Sequence, residues 1–448
     1  MEEIEIIGKK ALKELKKSGF CAFFVGGAVR DRIMKRKIHD IDIATDATTE
    51  EVTKIFCEKS VIPTGLKHGT VTVVFEKTPI EITTFRTEED YFDNRHPNKV
   101  SFSKNILDDL SRRDFTMNAI AESEDGILTD PFGGRGDIEK KLIKAVGEPE
   151  IRFNEDSLRI LRALRFSAVL GFSIEERTDK AIRKCRALLK NLSPERVSGE
   201  LSRLLCGKNA PNVLFSYPEV LGEVIPVLLT MNGFFQHNRH HCFDVFEHTV
   251  NVLKNVRPEL YMRLAALFHD CAKPQTFSVD ENGEGHFYSH APKSAAIAKN
   301  ELERLRFDGE TIERAVKLIK IHDSPIECDE VTVKKKLRRL GERTFFDLVE
   351  LQRADNLSQS KEFRFRQNNF DYLEKTAKAI LKENECFSLR SLAVNGNDML
   401  SLGFFGKEVG AVLDFLVEKV IEKTAKNERE ELINLAEKEK NRIKEDNK

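Results

Sequence analysis

The sequence predicts an α+β chain, with a mixed-sheet N-terminal part followed by an all-α remainder. Three observations carry that class. Strand-like runs alternate with short helices up to Pro131. Beyond it such runs almost vanish and helical periodicity dominates to the C-terminus. The length of 448 residues, at roughly 150 per domain, leaves room for about three cores.

In chain order, residues 1–18 set Ile4, Ile7, Ala11, Leu12 and Leu15 on one helical face, and Gly19 stops that helix. Phe20 to Val25 is an apolar strand, broken by Gly26-Gly27, after which AVRDRIMKRK continues as a helix. His39 to Ala44 is a second strand. Thr48 and Glu51 have capping-box spacing at the head of a helix over 48–57. VTVVF (71–75) and IEITTF (80–85) are expected to pair antiparallel across a short turn. Glu155–Leu170, rich in arginine, and Pro194–Leu205 are long amphipathic helices. Eight of the eleven histidines fall between His237 and His322. The last part carries glycines at 403, 406 and 410 and ends in a charged helix.

Composition excludes an overall basic protein. Seventy-three Lys and Arg against 74 Asp and Glu leave a net charge of −1, so a polyanion must be met by a local patch. No apolar run approaches the roughly 20 residues that span a bilayer, and MEEIEIIGKKALKELKK lacks the apolar stretch of a signal peptide. Eight cysteines without a CxxC pair complete the expectation of reduced thiols, no membrane and a cytoplasmic location. Oligomeric state leaves no mark.

The Gly26-Gly27 turn between strand and helix gathers unpaired amides at a helix N-terminus, which suits a polyphosphate, and Arg30 adds a charged donor one turn in. Such turns are also common as plain structure. Asp40 and Asp42, two apart in HDIDIAT, would project from one face of a strand. Adjacent like charges repel unless a cation sits between them, and hard oxygen ligands favour Mg²⁺. Two such ions could activate an attacking hydroxyl and neutralise a leaving pyrophosphate. A solvent-facing D-x-D is the bland alternative. Glu81 stands as a third ligand or as a surface acid.

GGAVRD (26–31) followed by DIDIAT (40–45) resembles the head of the nucleotidyltransferase superfamily, and more narrowly the class II tRNA nucleotidyltransferases and bacterial poly(A) polymerases. The resemblance runs on through TTFRTEEDYFDNRHP (83–97), LSRRDFTMNAIA (110–121), DPFGGRGDIEKK (130–141), EDSLRILRALRF (155–166) and SPERVSGEL (193–201). It implies a mixed-sheet nucleotidyltransferase head and Mg²⁺-dependent addition of C, C and A from CTP and ATP to a tRNA 3′ end. Asp40 and Asp42 would hold the metal. Poly(A) polymerases usually carry a basic signature where this chain reads TGLKHGTVTVVF (64–75), which favours the tRNA-specific branch; an A-adding enzyme with a CC-adding partner is the other rival. In the family it resembles, the polar stretch between Arg86 and Asn105 is a flexible loop that helps switch from C to A addition, and the TFR-x4-Y element (Thr84, Phe85, Arg86 and Tyr91) is intact here, which favours full CCA addition.

Within EDSLR, Glu155, Asp156 and Arg159 can share a helical face, where a plain ion pair adds only about 0.3 kcal/mol. A carboxylate beside a guanidinium also fits a base edge that offers an amine next to a ring nitrogen. Cytosine and adenine present that order; uracil and guanine reverse it, and a hydrogen-bonding site can reject the reversed edge by about 10⁴. The resemblance gives this templating role to Asp156 and Arg159, with Glu155 orienting Arg159 and Arg162 on the same nucleotide-binding segment. It also sets Arg113 and Asp114 of RRDFT in the nucleotide pocket, with Asp114 near the ribose; Arg112 and Arg113 suit phosphate oxygens.

Further on, His248 in FDVFEHTVNVL, His269-Asp270 in RLAALFHDCAKP, His322 and Asp355 in QRADN resemble the HD superfamily of metal-dependent phosphohydrolases. That implies a second divalent or transition metal at His248, His269, Asp270 and Asp355, with His241, His286 and His290 as candidates to complete the site, or else an HD-like scaffold without chemistry. The implied substrates are 2′,3′-cyclic phosphates or nucleotides. LAVNGNDMLSLGFFGKEVG resembles a C-terminal element of these enzymes, or is a helical cap. Binding of the tRNA acceptor and TψC arm would rest mostly on phosphate contacts and weaken with salt. The expected parts are a head over 1–145, a helical neck over 146–215, an HD-like body over 216–365 and a tail over 366–448.

Overall fold

The computed structural model describes residues 3–91, 97–240, 242–383, 385 and 387–446. The chain divides into two compact units: residues 1–229 with 304–307, and residues 230–303 with 308–448.

The first unit opens with helix Glu3–Lys17, whose Ile7, Ala11, Leu12 and Leu15 are buried. A seven-stranded sheet follows in the order β3-β4-β5-β2-β1-β8-β9. Its strands are β1 (Ala22–Val25), β2 (Asp42–Thr45), β3 (Ser60–Gly65), β4 (Thr70–Phe75), β5 (Thr78–Thr84), β8 (Ala121–Glu122) and β9 (Leu128–Thr129); β6 (Arg86–Tyr91) and β7 (Pro97–Phe102) form a separate antiparallel hairpin. Only the β2–β5 pair is parallel, so the sheet is mixed. Phe24, Val25, Ile43 and Ala44 are fully buried, making β1 and β2 the centre of the core.

Several expectations shift. The helix after the glycines is short, Gly27–Ile33, because the chain turns at Lys35 with φ +55°. The second strand begins only at Asp42, so Asp40 lies in the irregular segment before it rather than on a strand face. The capping box is formed: the Glu51 amide donates to Thr48 Oγ1 and the Thr48 amide to Glu51 Oε2. β3 escaped the sequence reading because it is a largely exposed edge strand interrupted by Pro63. The stretch read as a loop holds the β6–β7 hairpin around residues 92–96, which lie outside the described residues; the side chain of Tyr91 lies outside them too.

The expected helix over 155–170 is two. Helix Pro149–Glu155 ends at Asp156, which takes an extended conformation (φ −138°, ψ 103°), and helix Leu158–Leu170 begins after it. The Asp156 carboxylate accepts from the Leu158 amide at 3.1 Å, the local side-chain competition by which aspartate ends one helix and starts another. Helix Pro194–Leu205 forms over the expected residues.

Among the described residues, the second unit is helical apart from one small hairpin, Ser278–Val279 with Gly285–His286. Helices Val245–Asn255, His290–Arg304 (its last residue in the first unit) and Glu342–Leu357 carry His248, His290 and Asp355, while His269 and His322 cap the C-terminal ends of helices Leu260–Phe268 and Gly309–Ile321. At the C-terminal end, Met399, Phe404, Val412, Leu416, Leu432 and Ala436 form a separate small core.

Candidate active site and a histidine cluster

A cleft of about 650 Å³ in the first unit is lined by Gly26, Gly27, Asp40, Asp42, Asp114, Asp156 and nine arginines, with four aspartates in all. A chain of near-zero net charge thus concentrates positive charge at one place, which is what a polyphosphate or a nucleic-acid end requires.

One wall is the end of β1. Gly26 has φ +70° and ψ −133°, a conformation natural only to glycine. A Cβ there would stand 3.1 Å from Arg113 Nη1 and 3.4 Å from Asp42 Oδ2, so the bare backbone lies between a guanidinium and a carboxylate. Asp42 is half-buried opposite Val25 of β1 and beside Glu81 of β5, whereas Asp40 is exposed. Burial, together with the charges of Asp40 and Glu81, pushes the Asp42 carboxyl up to about 6 against the pull of Arg113 and Arg162. A divalent ion is the group whose charge and hard-oxygen preference fit these carboxylates. Glu81 is exposed and does not line the cleft, which makes it the weakest of the three as a ligand.

Arg30 and the RRDFT segment form the floor. Arg30 donates to Asp31 and, through Nη1, to Asn118 Oδ1 at 2.8 Å. Asn118 in turn donates to Asp114 Oδ1 at 3.0 Å, and Arg162 Nε to Asp114 Oδ2 at 2.8 Å. Burial opposes ionisation of Asp114, but Arg162 and the hydrogen bonds from Asn118 and the Phe115 amide outweigh it and hold the carboxyl down at about 2. Arg112 and Arg113 are both gripped by one fully buried carboxylate, Asp109, at 2.6 and 2.9 Å. Burial works against that charge too, and the two guanidiniums still bring its pKa below the ordinary value. The sequence reading missed Asp109, although its spacing of three and four residues before the arginines signals the clamp.

The third wall holds the EDSLR residues, in an arrangement different from the one expected. Arg159 is buried; its Nη1 donates to Glu155 Oε2 at 2.7 Å and to the Arg152 carbonyl, its Nη2 to the Arg112 carbonyl. Asp156 lies off the helix and is not paired with Arg159. Both its oxygens accept from Arg196 Nη2 at 2.9 Å, from helix Pro194–Leu205. Arg196 had no signal beyond its place in SPERVSGEL, because a partner 40 residues away is set by packing of the two helices. Arg165, Arg203 and Phe166 also line the cleft unforeseen; Arg165 pairs with Glu200 at 2.6 Å and lies 3.9 Å over the Phe166 ring.

In the second unit, six side chains meet around Asp270. His248 Nε2 lies 2.9 Å from Asp355 Oδ1 and 3.6 Å from Asp270 Oδ2; His269 Nε2 lies 3.2 Å from the same Asp270 oxygen. Asp270 Oδ1 faces His290 Nε2 at 3.3 Å and His322 Nε2 at 3.6 Å. The backbone sets the tautomers. Nδ1 of His269, His290 and His322 lies 2.7–2.9 Å from the carbonyl three residues earlier, which can only accept. Each Nδ1–H is thus held on a backbone carbonyl, which leaves Nε2 facing Asp270 as the ring atom available to a metal ion. His269 Nε2 and Asp270 Oδ1 are buried without a hydrogen-bond partner. Two triads, His248-His269-Asp270 and Asp270-His290-His322, are each compact enough for one ion. Burial raises the Asp270 and Asp355 carboxyls, yet neighbouring imidazoles, and for Asp270 the Lys273 ammonium at 2.7 Å, hold both well below the ordinary range. His286 lies apart, bonded to Asp280 at 3.0 Å, and His241 is outside the described residues.

Residues 22–144 match the family described as the poly A polymerase head domain, residues 171–214 the probable RNA and SrmB-binding site of polymerase A, and residues 239–359 the HD domain. A CCA-adding enzyme of Geobacillus thermodenitrificans is 51% identical over 203 residues, covering 45% of this chain and 50% of that protein. The CCA-adding enzyme of Bacillus subtilis is 46% identical over 214 residues, 48% of this chain and 53% of its own. The chain thus spans about half the length of the curated relatives it matches. The crystal structure of Bacillus stearothermophilus CCA-adding enzyme in complex with CTP aligns over 100% of both chains, with 28% identity and a TM-score of 0.70. A Thermotoga maritima CCA-adding enzyme complexed with tRNA shares the fold at 19% identity and a TM-score of 0.64. The chain thus carries a poly A polymerase head domain and its RNA-binding segment in its N-terminal half and an HD domain in its C-terminal half, and the relatives it matches are CCA-adding enzymes.

Proposed function

We propose that this chain is a CCA-adding tRNA nucleotidyltransferase of the cytoplasm, which adds C, C and A from CTP and ATP to a tRNA 3′ end without a nucleic-acid template. The observation that carries the reading is one cleft lined together by Gly26, Gly27, Asp40, Asp42, Asp156 and Arg159. The 3′-hydroxyl oxygen attacks the α-phosphorus, the bond to the β-phosphate oxygen breaks, pyrophosphate leaves and the hydroxyl proton passes to solvent. Mg²⁺ held by Asp40 and Asp42 would supply activation of the hydroxyl and charge neutralisation of the pyrophosphate. The Gly26 and Gly27 backbone and Arg113 receive the triphosphate, with Arg113 fixed by Asp109. Arg30 and Asn118 keep Asp114 positioned for the ribose.

Base choice falls to Asp156 and Arg159. Bonded as it is to Glu155 and two carbonyls, Arg159 keeps N–H donors to offer a ring nitrogen, and Asp156, held by Arg196, keeps lone pairs for an exocyclic amine. Glu155 and Arg162 act as positioning groups. The acceptor and TψC arm of tRNA would be held largely through phosphates. Incubation with tRNA lacking CCA, tRNA ending in CC and unstructured RNA tests the assignment by product length. The expected products are three- and one-nucleotide extensions and no tail on the third RNA. Long A tails on unstructured RNA would make the chain a poly(A) polymerase, and extension only of tRNA ending in CC would make it an A-adding enzyme with a CC-adding partner.

A second activity is supported by the two triads that share Asp270. In this reading His248, His269, Asp270 and Asp355 hold one divalent or transition metal, while His290 and His322 offer a place for another across Asp270; imidazole with carboxylate suits such ions. The bound metal would supply Lewis acidity toward a phosphoester. Water oxygen bonds to phosphorus, the ester P–O bond breaks and the leaving alcohol takes a proton. Metal-dependent hydrolysis of 2′,3′-cyclic phosphates or nucleotides, lost in Asp270→Ala and retained when Asp40 and Asp42 are both alanine, is the expected result. Hydrolysis that survives Asp270→Ala would reject it.

A further inference from the structure

We propose that exposed Tyr288, stacked on half-buried His286, is a nucleobase platform for the histidine cluster, so that this site selects nucleoside phosphates over phosphoesters that lack a base. The inference rests on the hydrolase reading of the cluster and adds what that site recognises. Tyr288 is 72% exposed, the largest value among the exposed large apolar residues, and its ring lies parallel to His286 at 5.4 Å and 13°. An open flat pair of this kind offers a π-face to a base at little rearrangement.

The pair is rigidly tied to the cluster on two sides. His286 Nε2 is bonded to Asp280, and the hairpin that carries it is pinned where the Gly285 amide donates to the His237 carbonyl at 2.8 Å. A Cβ on Gly285 would fall 2.4 Å from the Gln236 carbonyl oxygen, so only glycine permits that approach. The Gln236 side chain accepts from Lys273 Nζ at 2.8 Å, and Lys273 reaches Asp270. On the other side, the Phe287 carbonyl accepts from His290 Nδ1 at 2.9 Å. Ser289 between them has φ +61°, an uncommon conformation for a residue with a side chain, and the turn it makes separates an exposed Tyr288 from a buried His290. Phe277 packs against Phe287, Phe234 and His237 at 5.5–5.6 Å and stiffens the base of the hairpin. A phosphate held at the cluster would thus have a fixed aromatic surface only two residues along the chain from a ligand histidine. The chemistry that uses both is a phosphate ester joined to a base.

The test uses the full chain loaded with Mn²⁺ and two secondary-alcohol phosphomonoesters, a nucleoside 2′-monophosphate and glycerol 2-phosphate, with release of inorganic phosphate as the readout. Wild type is expected to show the lower KM for the nucleotide. Tyr288→Ala should raise that KM by about 10–100-fold, leave kcat within a few-fold and leave glycerol 2-phosphate hydrolysis unchanged, as loss of one stacked base predicts. Tyr288→Phe should restore the nucleotide KM. A nucleotide KM unmoved by Tyr288→Ala overturns the platform alone, and Tyr288 is then left for contact with another macromolecule. Equal loss on both substrates reduces Tyr288 to a structural role and also overturns it. Hydrolysis of neither substrate by wild type overturns the hydrolase reading together with the platform.

Discussion

At the scale of single residues, the cleft depends on second partners that hold the groups lining it. Arg196 fixes both oxygens of Asp156, and charge-assisted hydrogen bonds of this kind contribute about 1.5–3 kcal/mol. Arg196→Ala is therefore expected to lower kcat/KM for both CTP and ATP by about 10–100-fold and to relax discrimination against UTP and GTP, read by single-nucleotide incorporation on tRNA lacking CCA. Unchanged selectivity would remove Asp156 from base choice. Asp114 yields a prediction about acid. Its folded pKa is lowered to about 2 from an ordinary 3.8, so its stabilisation is fully present above pH 3.8 and fades as pH falls toward 2. Urea unfolding should show Asp114→Asn less stable than wild type by about 2 kcal/mol at pH 6, the gap closing toward pH 2. A gap that is constant with pH would mean that packing, not charge, sets the difference.

At the scale of elements, the junction of β1 with helix Gly27–Ile33 asks different things of its two glycines. Gly26 has a conformation closed to side chains and lies against Arg113 and Asp42, whereas a Cβ on Gly27 meets only Arg30 Nη2 at an ordinary 3.6 Å. Gly26→Ala should cost about 1–3 kcal/mol in chemical denaturation and sharply reduce nucleotide incorporation, while Gly27→Ala should be nearly neutral in stability. Equal costs at both positions would contradict this account of the turn. The break between helices Pro149–Glu155 and Leu158–Leu170 obeys the same local logic. Asp156 leaves helical geometry, bonds the Leu158 amide and turns its carboxylate to Arg196. In an unbroken helix, Asp156 and Arg159 would be tied to one face and one fixed separation.

At the scale of the molecule, each unit gathers a cluster of its own, aspartates in one and histidines with aspartates in the other, and the two sets predict separable responses. Saturating Mn²⁺ should stabilise the unit that contains the histidine cluster, by about 2.7 kcal/mol at a hundredfold excess over Kd, and raise its melting transition. Asp270→Ala should abolish that shift, and alanine at both Asp40 and Asp42 should leave it intact; calorimetry of the full chain distinguishes them. A shift that survives Asp270→Ala would place the Mn²⁺ site elsewhere. Among the described residues, no helix is long and apolar enough to cross a membrane.

Much of this was legible in the order of residues. The α+β class follows from where alternation gives way to helical periodicity, because periods of two and of 3.6 are local properties of side-chain direction. The Thr48 capping box and the β4–β5 pair were readable for the same reason, whereas the gathering of His248, His269, Asp270 and Asp355 was expected only from the resemblance to the HD superfamily. Asp109 could have been read and was not. What only the tertiary structure decided are the partnerships across distance: Arg196 on Asp156, Arg162 on Asp114, and His290 with His322 on the far oxygen of Asp270. Ion pairs reach only a few ångströms, so which charges meet depends on how helices distant in sequence pack, and that packing is set by apolar faces that say nothing of the charges beside them.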